Sequence, residues 1–290
     1  MANDTKRVSL VLGSGGARGL AHIGVIRWLE EHDHHVVGLS GSSIGALVGG
    51  VYAAGKLDDF ESWVRAIRGV DVLKLLDFSF GSDGLVRGER IISALRELLG
   101  ECSIEDCDIP FTAVASDVVK EKEVWLSSGS LFDAIRASIS LPLFFKPAKI
   151  NGVQLLDGGI LNPVPIAPTF GDDSDLTVAV NLGGKPDPDF PAPKLVAEEA
   201  EADTDLVSRV AEFLRDFSKR DSNDESSISM LEITDRTFDA MQGAIARQQL
   251  AAYPPDVELI VPNNVCGTLE FDRAAEMITL GYELAERRLG

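Results

Sequence analysis

Short, unbroken apolar runs alternate with segments of helical spacing along the first part of the chain. Arg7–Leu12 reads as a buried strand and runs into a glycine loop, Gly13–Gly19. From about Ala17 to His32, Leu20, Ile23, Ile26 or Arg27, and Leu29 recur at helical spacing. Val36–Leu39 is a second short strand. It leads through Gly41-Ser42-Ser43-Ile44-Gly45 into a small-residue helix, Ala46–Ala54, closed by Gly55. This alternation predicts parallel strands layered between helices.

Beyond a helical stretch at Ile91–Leu99, Phe111–Ser116 and Val124–Leu126 read as strands, and Leu131–Ser140 as a helix that stops before Pro142. Asn151-Gly152 is the strongest hairpin signal, joining Ala148–Ile150 to Val153–Leu156. That second strand delivers Asp157-Gly158-Gly159, and Leu176–Asn181 follows as a buried strand. Composition then changes. Residues 186–202 are rich in Pro, Asp and Glu and read as a linker or long surface loop. An amphipathic helix is expected next, with Leu206, Val210, Phe213, Leu214 and Phe217 on one face, before the polar residues 220–227. A helix from about Ile228 to Ala252, the strand Val257–Val261 and a helix from about Phe271 to Leu289 complete the pattern. One α/β domain over residues 1–290 is therefore expected. Its core covers about 7–185 and 228–289, and residues 186–227 form an acidic insert.

With 45% apolar and 25% charged residues, the composition is that of a globular protein. No run reaches the roughly 18 apolar residues that span a bilayer. The longest candidate, Val8–Ile26, is broken by Gly13, Gly15, Gly16, Arg18 and Gly19, and lacks the marks of a secretory signal. Cys102, Cys107 and Cys266 show no metal or redox spacing and read as free thiols of a reducing cytoplasm. A cytoplasmic protein, at most peripheral to a membrane, is expected. The formal charge of −19 repels phosphate backbones and argues against a nucleic-acid partner. Only 10 of the 27 basic residues are Lys. Acid excess with scarce Lys fits either a salt-adapted surface or a locally acidic insert. The same charge disfavours docking on anionic membranes unless a basic patch faces the lipid.

Candidate chemistry begins with Gly41–Gly45, a G-x-S-x-G between strand and helix. A nucleophilic serine at such a turn needs small residues two places to either side, and the following helix aims its N-terminal amides at the reacting centre. Serine also needs a base. The four histidines, His22, His32, His34 and His35, all precede Ser43, which excludes the Ser…Asp…His order of an α/β-hydrolase triad. An upstream histidine could still serve on another fold, although His32, His34 and His35 occupy a polar loop. If histidine is missing a carboxylate must act, and Asp157, between a strand end and two glycines, is the candidate. On the residues alone, a plain turn after a hairpin is the better reading of Asp157-Gly158-Gly159. The loop Gly13–Gly19 reads either as a dinucleotide-binding turn, with Asp33 near the ribose-binding distance, or as a set of backbone donors for an oxyanion. Arg18 stands where the dinucleotide pattern wants glycine.

Together and in this order, the three features resemble the patatin-like phospholipase family in its bacterial and archaeal branch. Gly13–Val25, Gly41–Gly50, Ala134–Pro147 and Asp157–Pro165 look like family sequence, as does the helix carrying Met241 and Arg247. Ser14 departs from the pattern, standing where the family commonly has glycine. The resemblance implies a three-layer α/β/α sandwich with a mainly parallel central sheet. It implies a lipid acyl hydrolase in which Ser43 attacks, Asp157 is the general base, and the Gly15 and Gly16 amides hold the oxyanion. Arg18 would support that loop or the lipid phosphate. No metal or cofactor is implied; the partners are an ester lipid and, peripherally, a membrane surface. Two other readings stand beside it: a dinucleotide-binding enzyme, and a non-catalytic relative that binds acyl lipid or a protein.

Overall fold

A computed structural model describes residues 5–68, 71, 89–142, 144–189 and 230–290. The expected amphipathic helix at 206–217, with nearly all of the acidic insert, lies outside the described residues. Strand β1 (Arg7–Leu12) sends Val8, Leu10 and Leu12 to the larger core and Val11 to a smaller one on the other face. The period of two thus buries both faces, as a strand covered by helices on each side requires. On the larger face lie α1 (Ala21–Glu31), α2 (Ile44–Ala53), α3 (Leu57–Ala66), α4 (Glu89–Leu99), α5 (Leu131–Ser138) and α7 (Ala274–Leu289). On the smaller face Ala246 of α6 (Met230–Ala252) packs with Val164 and Ile166 against Val11 and Ala179. The outcome is the expected three-layer α/β/α sandwich.

Its sheet also contains β2 (His35–Ser42), β3 (Phe111–Asp117), β4 (Lys122–Leu126), β5 (Ala148–Ile150), β6 (Val153–Asp157), β7 (Leu176–Gly184) and β8 (Val257–Pro262). The order is β5-β6-β3-β2-β1-β7-β8, with β4 also on β3. Five strands, β3-β2-β1-β7-β8, run parallel, while β4, β5 and β6 are antiparallel additions at one side.

That side carries an unusual junction. On β3, residues 111–114 pair with β2 and residues 115–116 with β6, while β4 pairs with 113–117. Since β4 overlaps both sets, β2 and β6 must share the other edge of β3, seated end to end. Ser42 is paired with Val114 and Asp157 with Ala115, the next residue along. Two segments far apart in sequence therefore meet over one peptide of β3.

Several boundaries differ from those expected. The first helix is preceded by a tight 3-10 turn at Gly16–Leu20, and the last by one at Phe271–Arg273. Helix α5 ends at Ser138, two residues early, because the chain there turns to present Ser138 and Ser140 to other elements. Helix α3 is not among the expected elements, although Leu57, Phe60 and Val64 bury one face and Asp58 and Asp59 occupy its first turn.

Candidate active site

Ser43 sits between β2 and α2 with φ 55° and ψ −123°, a backbone conformation that favours glycine. The turn is too tight for side chains at its flanks. A Cβ on Gly41 would lie 2.4 Å from the Gly45 carbonyl oxygen, and one on Gly45 2.0 Å from that of Leu12. Holding a serine here costs about 1–3 kcal/mol. The strain is retained against a fixed support: the Ser43 N–H donates to Ser138 Oγ at 2.9 Å, and Ser138 donates in turn to the Val114 carbonyl at 2.6 Å.

The Ser43 hydroxyl donates to Asp157 Oδ2 at 2.5 Å. Asp157 is fully buried, its other oxygen accepts the Gly159 N–H at 2.8 Å, and its own N–H donates to the Ser140 carbonyl at 3.0 Å. Burial pushes its pKa up to about 7, against the lowering pull of the Ser43 and Gly159 hydrogen bonds. The C-terminal end of α5 thus clamps both partners, Ser43 through Ser138 and Asp157 through Ser140. Arg136 fixes that end, donating to Ser140 Oγ and to the Lys146 carbonyl.

The glycine loop closes over the same place. A Cβ added to Gly159 would lie 2.4 Å from Ser14 Oγ, and the Gly45 site lies against the Gly13 carbonyl. On either side of the loop, N–H groups are spent: Gly13 donates to Val180, Ser14 to Pro163, and Ala17 to Thr268. Among the described residues no hydrogen-bond acceptor engages the N–H of Gly15 or Gly16. Arg18 is buried and makes a two-pronged contact with the Asp239 carboxylate, at 2.7 and 3.1 Å, plus a bond to the Asn263 carbonyl at 2.7 Å. It ties the loop to α6.

His32, His34 and His35 stand apart from this cluster. His32 stacks on Trp28, and His34 Nδ1 accepts the Lys6 N–H. Among the described residues no group of three or more His, Cys, Asp or Glu is arranged to hold a metal ion. Asp33 is exposed in the turn between α1 and β2, at the end of the sheet opposite the glycine loop. It cannot reach a ribose held at that loop, which removes the partner the dinucleotide reading needs.

Residues 10–170 match the family model described as patatin-like phospholipase. The chain belongs to that family. It is 38% identical to an uncharacterized NTE family protein of Mycobacterium tuberculosis (strain H37Rv), across 99% of this chain and 92% of that one. Lysophospholipase NTE1 of Pyricularia oryzae is 31% identical over 96% of this chain but only 18% of its own length. A patatin-like phospholipase domain-containing protein of Caenorhabditis elegans is 38% identical over 54% of this chain and 12% of its own.

Four residues of this patatin-like site are absent from the sequence-based candidates. Ser138 and Ser140 lie inside a stretch that resembles the family, yet nothing in a helix-end serine announces which amide or carbonyl it will serve. Asp239 is an ordinary helix carboxylate until α6 docks. The fourth is His22, fully buried in α1 under the loop. Its Nε2–H donates to the Gly13 carbonyl at 2.9 Å, which fixes the proton on Nε2. Burial pushes its pKa down to about 4, so the ring stays neutral.

Proposed function

We propose that this protein is a serine lipid acyl hydrolase working through a Ser43–Asp157 dyad on a phospholipid or lysophospholipid ester. The observation that carries the reading is the hydrogen bond from the strained Ser43 hydroxyl to the buried Asp157 carboxylate. Family membership and the lysophospholipase relatives support the lipid class.

The steps follow from the groups present. Ser43 Oγ attacks the ester carbonyl carbon and its proton passes to Asp157 Oδ2. The carbonyl oxygen becomes an oxyanion, held by the Gly15 and Gly16 amides, donors worth roughly 10²–10³ in rate each. Collapse breaks the acyl–oxygen bond, and the leaving alcohol takes the proton back from Asp157. Water then attacks the acyl-serine, again giving Asp157 a proton, which returns to Ser43 Oγ as the fatty acid leaves. A carboxyl group with a pKa near 7 suits both directions of transfer. Arg18, held by Asp239 and by the Asn263 carbonyl, acts as a support of the loop.

Labelling with a fluorophosphonate, read by mass spectrometry, tests the reading beside a panel of phospholipid, lysophospholipid and short-chain esters. Modification at Ser43, with loss of labelling and hydrolysis in Ser43→Ala, is expected. Hydrolysis at the wild-type rate by Ser43→Ala overturns it, and labelling at Ser42 moves the nucleophile by one residue.

A further inference from the structure

The β3–β4 hairpin reaches beyond the end of the sheet that carries Ser43. Its apex, residues 118–121, begins three residues past Ala115, the residue opposite Asp157, or roughly 10 Å further along the strand. Hairpin apexes are normally built from Gly, Asn, Asp or Pro. This one carries Val118 and Val119, 42% and 83% exposed, neither of them in any core cluster. Trp125, on the returning strand, is 47% exposed. Alongside rises the β5–β6 hairpin, whose strand β6 pairs with β3 in the direction that puts its own turn, Asn151-Gly152, at the same end.

Charge at this end runs against that of the whole chain. On a protein with 46 acidic and 27 basic residues, the exposed Lys120 and Lys122 follow the two valines and Lys149 is exposed on β5. The nearest carboxylates are partly spent: Asp117 is buried 4.0 Å from Lys120, and Glu123 accepts from Asn162 at 2.5 Å. Glu121 is the exposed acid of the apex. Solvated valines beside exposed lysines, at the end of the sheet that carries Ser43, match a surface that is apolar beneath and anionic on top.

We propose that the apex of the β3–β4 hairpin docks on the surface of an anionic bilayer, inserting Val118 and Val119 below headgroups that Lys120, Lys122 and Lys149 engage. This rests on the hydrolase reading for its purpose, since docking there brings the Ser43–Asp157 site to its lipid. The acid excess of the rest of the chain then keeps the other faces off the membrane and sets the orientation.

Flotation with vesicles of phosphatidylcholine, with and without phosphatidylglycerol, tests it using the full chain. The wild type should bind the phosphatidylglycerol vesicles. Val118→Ser/Val119→Ser should weaken that binding about ten-fold or more, and Lys120→Glu/Lys122→Glu should abolish the preference for phosphatidylglycerol. Melting temperature and hydrolysis of a soluble short-chain ester should stay at wild-type values in both variants. Wild-type binding by either variant, or a wild type that ignores both kinds of vesicle, overturns the proposal. Binding that follows this pattern in a protein that hydrolyses no ester would leave the docking surface standing and reject the hydrolase reading instead.

Discussion

Asp157 accepts the Ser43 hydroxyl from a position with no exposure to solvent, 114 residues further along the chain. A carboxylate so placed pays for its burial in basicity: its pKa is pushed up to about 7. Desolvation thus brings a carboxyl group into the range of pH where a histidine ordinarily titrates.

The first expectation concerns that pH dependence. Asp157 accepts a proton only when ionised, so kcat/KM should rise with pH, levelling off above about 7. Asp157→Asn should lower the rate by about 10³ or more and remove the inflection. Its effect on folding has the opposite sign. A pKa raised from 3.8 to about 7 means that the wild type loses stability as pH rises between those values, so the Asn variant should melt higher at pH 8. A flat pH–rate profile from pH 5 to 8, or full activity in the variant, contradicts the assignment.

Ser43 offers a second check, because its function and its backbone pull in opposite directions. At φ 55° a glycine is at ease and an alanine is not. Ser43→Gly should therefore be more stable than Ser43→Ala by about 1 kcal/mol, with both inactive. Denaturant melts of the two proteins measure the difference directly. Equal stabilities would mean that the turn relaxes once the serine is gone.

His22 makes a third prediction. It lies too deep to act as a base, yet it holds the carbonyl at the head of the glycine loop. His22→Leu should leave that carbonyl unpaired, costing about 1–3 kcal/mol and lowering kcat. His22→Gln, which can place an amide N–H where Nε2 stood, should recover part of both. The folded pKa of about 4 lies below the usual 6.5. The unfolded chain therefore takes up the proton first, and the stability His22 contributes is complete above pH 6.5 and declines as pH falls towards 4. The difference in stability between wild type and His22→Leu should narrow over that window; a constant difference counts against it.

Salt supplies the fourth. At 0.01 M the screening length is about 30 Å, and a surface carrying −19 repels itself throughout; at 1 M it is about 3 Å. If the acid excess is an adaptation to salt, the melting temperature should climb with potassium chloride over this range. A flat or falling trend assigns the excess to the insert at 186–227 instead.

The elements most legible in the sequence were those whose signal is local. Gly41 and Gly45 mark a turn that only small residues permit, and Asn151-Gly152 marks a hairpin, so the strand, the elbow and the returning strand could all be drawn from spacing. Asp157 was preferred as a candidate base only through resemblance, because the burial that raises its pKa is made by elements elsewhere in the chain. Ser138, Ser140, Asp239 and His22 were silent for the same reason. Each is an ordinary polar residue on a helix or at its end, and its partner is chosen by how α1, α5 and α6 dock. Helix α3 is a different case, since Leu57, Phe60 and Val64 carried the period openly.

The seating of β2 and β6 end to end on β3 frees the spacing of Ser43 and Asp157 from the length of chain between them. Val114 and Ala115, one peptide apart, position the segments that bear Ser43 and Asp157. The apexes at 118–121 and 151–152 both lie outside that register. Insertions there would lengthen the walls around Ser43 and Asp157 and leave the pair untouched. Loops of this kind can diverge freely, while the two side chains stay pinned to neighbouring positions on a single strand.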